Sequence, residues 1–210
     1  MKSGIVFDDA GFERQAQSDG PLVWLTPKGD ALELSHYAVP PDIEADLDSL
    51  RALYRRSVQN AGLGIIEIEP CVVDSCKAVR TVFKAAQEPT GRAYLGALTF
   101  PFRDFSYVFR LQCQELGTTG VRDSIVLAKL MSTGEVKITT STCKLTGWLD
   151  DPYDPEEAGA MTRNKSERPE YDEQFPDHPL SRARRVLDHL QRTIRIDETI
   201  KRAPAFSWHE

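Results

Sequence analysis

Apolar residues fall three and four positions apart from Ile43 through Leu47, Leu50 and Tyr54 to Val58, while Arg51, Arg55 and Arg56 lie off that stripe. This is the period of an amphipathic helix that rests one face on a sheet. Pro40 and Pro41 end the segment before it, Asp42 offers a cap and Gly62 a stop. Beyond Gly64 the period drops to two, or to short apolar runs, over 65–69, 71–75, 78–85, 93–102, 104–115, 121–130 and 135–142, and each predicts a strand. Connections too short for crossover helices imply an antiparallel meander. The glycine-bearing run from Glu115 to Asp123 reads as a hairpin turn within it, with Arg122 and Asp123 pairing locally. Upstream, 21–39 reads as an edge hairpin around Pro27-Lys28-Gly29-Asp30, with Leu32, Leu34 and His36 alternating against Glu33, Ser35 and Tyr37.

A second helix is expected from Asp177 or His178, with Pro179 in its first turn. Leu180, Ala183, Leu187, Leu190 and Ile194 form its apolar stripe, and Arg182, Arg184, Arg185 and Arg192 sit largely outside it. The predicted fold class is α+β: a mostly antiparallel β-sheet covered by helices, followed by a C-terminal acidic loop and an amphipathic helix. At 210 residues the chain is expected to form a single domain, with its core at about 20–146 and with the acidic segment 147–178 and the helix 179–195 packed on it. Phe206 and Trp208 are candidate anchors for the tail.

Composition narrows the function classes. A hydrophobic share of 40% beside 28% charged residues fits a packed domain and excludes wholesale disorder. A net charge of −6 without a concentrated basic face argues against nucleic acid as the partner. No window approaches the roughly 18 apolar residues of a membrane span. Cys71, Cys76, Cys113 and Cys143 are scattered through apolar segments rather than set in CxxC pairs, so reduced thiols and a cytoplasmic setting are expected.

The acid is concentrated. From Trp148 to Asp177 ten acidic residues stand against three basic ones, a local charge of −7 in a stretch that is also aromatic and broken by prolines. From Pro179 onward seven bases face four acids, so pairing between the two segments is expected. The aromatic residues either pin a long loop to the domain or anchor a protein interface with an acidic rim. The candidate partner-binding residues are Trp148, Asp150, Asp151, Tyr153, Asp154, Glu156, Tyr171 and Phe175.

Catalytic chemistry is weakly signalled. The cluster Asp150-Asp151-Pro152-Tyr153-Asp154-Pro155-Glu156-Glu157 has carboxylates that hard cations favour, but it lacks the glycine and terminal glutamate of an EF-hand loop, and turn or capping roles account for it. Asp177, His178 and Ser181 suggest a hydrolase trio, yet a helix start explains the same residues and no GxSxG elbow is present. No cofactor, metal or catalytic set is therefore expected.

The order of a long helix, IEADLDSLRALYRRSVQNAG, then strands through IIEIEP, KAVRTVFKA and YLGALTFPFRDFSYVFRLQCQE, resembles the Mog1/PsbP-like architecture over about residues 20 to 130. YLGALTFPFRDFSYVF, DDPYDP and FPDHPLSR also resemble an uncharacterised bacterial family. The resemblance implies a binding or assembly partner rather than an enzyme. The expected function is accordingly a non-catalytic protein-binding module, accessory or toxin-neutralising (an immunity protein), whose partner is another, basic protein. The alternatives are a hydrolase, with or without a divalent ion, using carboxylates 150–157 and His178, and a homo-oligomer built through an exposed sheet edge.

Overall fold

A computed structural model of the chain describes residues 4–16, 20–43, 46–139, 144–159 and 161–207. Its elements, in chain order, are β1 (Ile5–Val6), β2 (Glu13–Arg14), β3 (Leu22–Leu25), β4 (Ala31–Tyr37), α1 (Leu47–Asn60), β5 (Gly64–Val73), β6 (Cys76–Ala86), β7 (Arg92–Pro101), β8 (Ser106–Gln114), α2 (Val121–Ser132), β9 (Lys137–Thr139), β10 (Lys144–Thr146), α3 (Pro179–Thr193), β11 (Arg195–Ile196) and α4 (Glu198–Lys201). Seven strands form one sheet in the order β2-β3-β4-β8-β7-β6-β5, and every neighbouring pair is antiparallel. The class is α+β, as the periodicity predicts. β5 through β8 form a continuous meander, and β3–β4 lies near one margin with the two-residue β2 outside it.

Alternation along β6 shows how the sheet serves two layers. Val79 and Phe83 pack with Leu50, Val58 and Tyr54 of α1, whereas Ala78 and Val82 join the larger core that holds Leu180, Ala183, Leu187 and Leu190 of α3. The sheet therefore lies between α1 and α3, its side chains pointing alternately to each. α3 approaches closely where β7 carries Gly96, since a Cβ there would stand 3.0 Å from the Leu187 Cδ1. A third, smaller cluster gathers Val126 and Leu130 of α2 with Val136, Tyr171, Trp148 and Phe175.

Four local expectations are corrected. Residues 121–130 form the body of α2, not a strand: Arg122, Val126 and Leu130 are buried at a spacing of four, one face of a helix. Because its first buried residue is an arginine, the helical stripe is hidden from a reading of apolar positions. Gly117 and Gly120 do take positive φ, but they lead from β8 into that helix rather than around a hairpin. α1 begins at Leu47, and its cap is Asp46, whose carboxylate accepts a hydrogen bond from the Ser49 N–H; Asp42 lies upstream. The segment 71–75 is no separate strand: 71–73 complete β5, and Asp74-Ser75 make its turn into β6. Of the strand expected over 135–142, Lys137–Thr139 is one, and 140–142 lie outside the described residues, as do Cys143 and Trp208.

Candidate functional site

The acidic segment is built onto the domain by its own side chains. Asp151, with its side chain 2% exposed, accepts from the main-chain N–H groups of Tyr153 and Asp154 at 2.9 and 2.8 Å and pairs with Arg55 of α1 at 2.7 Å. Burial pushes its carboxyl up, and the Arg55 bond with the two N–H bonds outweighs that, leaving the pKa below the ordinary carboxylate value. Asp150 receives Arg163 at 2.7 Å and Arg168 at 2.6 Å. Burial opposes its ionisation too, and the two guanidinium groups prevail, Arg168 foremost. Glu157 takes Arg55 and Gln59. Much of the local charge is thus balanced by Arg163 and Arg168 within the segment and by Arg55, more than by the α3 arginines expected to do it.

Tyr153 lies across the outer edge of β5. Its hydroxyl accepts from the Ile68 N–H at 2.6 Å and is placed to donate its one proton either to the Ile68 carbonyl at 3.0 Å or to Glu69 at 2.8 Å, while Arg51 stacks over its ring at 4.0 Å. Burial pushes its pKa up to about 12. Trp148, Tyr171 and Phe175 pack on α2, Tyr171 being buried. Asp154 caps the Glu156 N–H at 3.1 Å.

A buried ionic frame fixes the second half of the segment. Lys84 of β6 meets Glu167 at 2.6 Å, with both side chains under 5% exposed, and Tyr94 donates to the same carboxylate at 2.8 Å. Arg122, 1% exposed, donates to the carbonyls of Ser166 and Arg168, to Asp172 and to the Ser181 hydroxyl. Arg184 bridges Asp172 and Glu67, and Arg182 forks onto Asp30 at 2.7 and 2.8 Å. These two arginines were expected off the packed face of α3 but are 5% exposed. They flank the apolar stripe closely enough that their stems are covered while the guanidinium groups reach carboxylates on the sheet and the segment. Arg122 and Asp123, expected to pair, go separate ways: Asp123 accepts from the Ser166 hydroxyl.

The hydrolase trio is not assembled. His178 caps α3, its Nδ1 accepting from the Leu180 N–H, and its Nε2 stands 3.8 Å from Glu115. Ser181 is held by Arg122 and Asp172, and Asp177 pairs with Lys28 at the surface. Burial, followed by the fields of Arg122, Arg182 and Arg184, pushes the His178 pKa down to about 3, so the ring is neutral at physiological pH. Asp150, Asp151, Asp154 and Glu157 turn to arginines and turn amides, and Glu156 to solvent, rather than to His178. Among the described residues no group of three His, Cys, Asp or Glu could hold a metal ion. Nor, among the described residues, is any helix long and apolar enough to cross a membrane.

What faces outward is a second set of acids. Glu156, Glu170 and Glu173 are exposed and Asp154 is half-buried, and among the described residues no lysine or arginine stands within ion-pair distance of them. Glu170 and Glu173 were missed as site residues. The signal available was their position between Pro169 and Phe175, in a stretch whose other acids are claimed by arginines.

No protein-family model matches the sequence, and no curated protein sequence matches it. Among solved structures the chain is similar to cyanobacterial PsbP (CyanoP) from Synechocystis sp. PCC 6803, at 15% identity and a TM-score of 0.37 over 64% of this chain and 85% of that one. It is also similar to a protein of unknown function from Pseudomonas aeruginosa, at 14% identity and a TM-score of 0.34 over 57% of this chain and 85% of that one. Likeness at this level brings no activity with it.

Proposed function

We propose that the protein is a non-catalytic accessory protein that works by binding another protein, with the outer face of the segment 148–177 as its contact surface. The observation that carries this reading is the division of labour among the acids. Asp150, Asp151, Glu157, Glu167 and Asp172 hold the segment to the domain, while Glu156, Glu170 and Glu173 are left to solvent and Asp154, half-buried and capping the Glu156 N–H, has no basic partner among the described residues. A pre-ordered acidic surface suits a basic partner, because its field speeds encounter and binding need not order a loop. Toxin neutralisation is one form such binding takes. The described cysteines, Cys71, Cys76 and Cys113, are free thiols, which supports a reducing cytoplasmic setting.

The test is quantitative affinity capture from native lysate with wild type and with the variant Asp154→Asn, Glu156→Gln, Glu170→Gln, Glu173→Gln. The expected outcome is a basic protein enriched by wild type and lost by the variant at equal thermal stability. With the purified partner, the association rate should fall roughly tenfold or more at low salt. A partner retained equally by both forms moves the contact surface elsewhere, and no partner at all removes the proposal.

A further inference from the structure

β5 ends the seven-stranded sheet, and an unprotected end strand offers its main-chain groups to any other strand. Four successive features along it leave little to offer. At its start the chain passes onto the sheet face that carries Lys84, and the main chain of Met161 lies so close over it that a Cβ on Gly64 would stand 1.8 Å from the Met161 carbonyl oxygen. Next, the ladder to β6 shifts register between Ile65 and Glu67, and the Ile66 carbonyl accepts from Arg163 at 3.4 Å. At Ile68 one hydroxyl, that of Tyr153, serves both outward main-chain groups, accepting from the N–H and reaching the carbonyl. Two residues further on, on the same side of the pleat, stands Pro70, which has no N–H. Val72, 67% exposed, is the next such position.

We propose that residues 150–159 and 161–163 form an edge guard, and that the Tyr153 hydroxyl keeps β5 from pairing with β5 of a second copy of this chain. Three of these features come from one short stretch, held in place by Arg55 on Asp151 and Glu157 and by Arg163 on Asp150. The features are of the kind that blunts sheet edges generally: a bulge, a proline and a covering loop. This also gives Tyr153 a task apart from partner binding, because its polar atom is engaged by the strand, at the Ile68 main chain and the Glu69 carboxylate. The inference does not depend on the outward acids.

Two variants lift the guard by different routes. Tyr153→Phe removes one oxygen and keeps the ring, and Gly64→Ala drives the Met161 main chain away from the strand. Circular dichroism first establishes that each is folded, and sedimentation equilibrium across a wide concentration range then gives the mass. The expected result is wild type at its monomer mass of 23.6 kDa throughout, and each folded variant shifting toward twice that mass as concentration rises. Adding Val72→Lys, a charge on the exposed end of the edge, should return both to monomer. Folded variants that stay monomeric at every concentration, dimers indifferent to Val72→Lys, or a wild type that already dimerises through β5 would each overturn the proposal.

Discussion

Replacing Arg122 with methionine should cost more stability than any exposed ion pair in the molecule. The side chain is 1% exposed and makes four hydrogen bonds, at 2.7 Å to the Ser166 carbonyl, 2.9 Å to Asp172, 2.9 Å to the Ser181 hydroxyl and 3.0 Å to the Arg168 carbonyl. Methionine fills much of the same volume, so the loss is chiefly electrostatic. Two carbonyls lose a charged donor, at about 1–3 kcal/mol each where they stay dry. Asp172, 22% exposed, keeps Arg184, which limits its share. The expected total is about 3–5 kcal/mol, the usual result of removing one partner from a buried charge network. Against a domain stability of about 5–15 kcal/mol this is a large fraction. Urea denaturation followed by tryptophan fluorescence should show the midpoint falling by on the order of 1–2 M, given slopes of about 1–3 kcal/mol per molar. Arg103→Ala is the control: its pair with Asp104 is over 60% exposed on both sides, and its midpoint should stay at the wild-type value. An Arg122→Met midpoint equal to that of the control would refute the reasoning.

Three further outcomes are expected. In the unfolded chain His178 protonates below its ordinary 6.5, and in the folded protein only near 3. The unfolded state therefore binds more protons in that window, and stability falls as pH drops through it, by up to about 1.4 kcal/mol per pH unit. His178→Asn keeps a side-chain cap for α3 and should flatten that part of a urea-midpoint-against-pH curve; an unchanged slope would assign it to the carboxylates instead. Gly96→Ala pushes a methyl to within 3.0 Å of Leu187, which is fully buried, and should lower stability by about 1–3 kcal/mol in thermal denaturation. Asp151→Asn takes the charge from the Arg55 pair and should open 150–159 to limited proteolysis while the sheet stays intact, with cleavage sites read by mass spectrometry.

Much of this architecture is legible from periodicity. Val79 and Phe83 against Ala78 and Val82, or Leu180, Ala183 and Leu187 at helical spacing, declare which faces are covered. The misreadings of 121–130 and of the α3 arginines share one cause: charged residues in the core. Arg122, Arg182, Arg184, Lys84 and Glu167 are all 5% exposed or less, and a pattern of apolar positions counts each as surface. Their burial depends on partners distant in sequence, such as Asp30 for Arg182 at 2.7 Å, which no local window contains. The acid-rich, aromatic and proline-broken composition of 148–177 singles the segment out. It does not separate acids that face basic side chains from those that face water, because much of that sorting is done from outside the segment, by Arg55 of α1, Lys84 of β6, Arg122 of α2 and Arg184 of α3.

The proposed function requires that this segment be a fixed part of the body, held by its inward side chains so that its outward acids form a standing surface. Amide hydrogen exchange on the isolated protein tests it most directly. The N–H groups of Asp150, Lys165 and Tyr171 donate within or next to the segment, to the carbonyls of Arg163, Trp148 and Arg168. They should exchange with protection approaching that of the β6 and β7 ladder amides. Exchange of those three at the rate of an unstructured peptide, beside a protected sheet, would contradict it and make the segment one that orders only on binding.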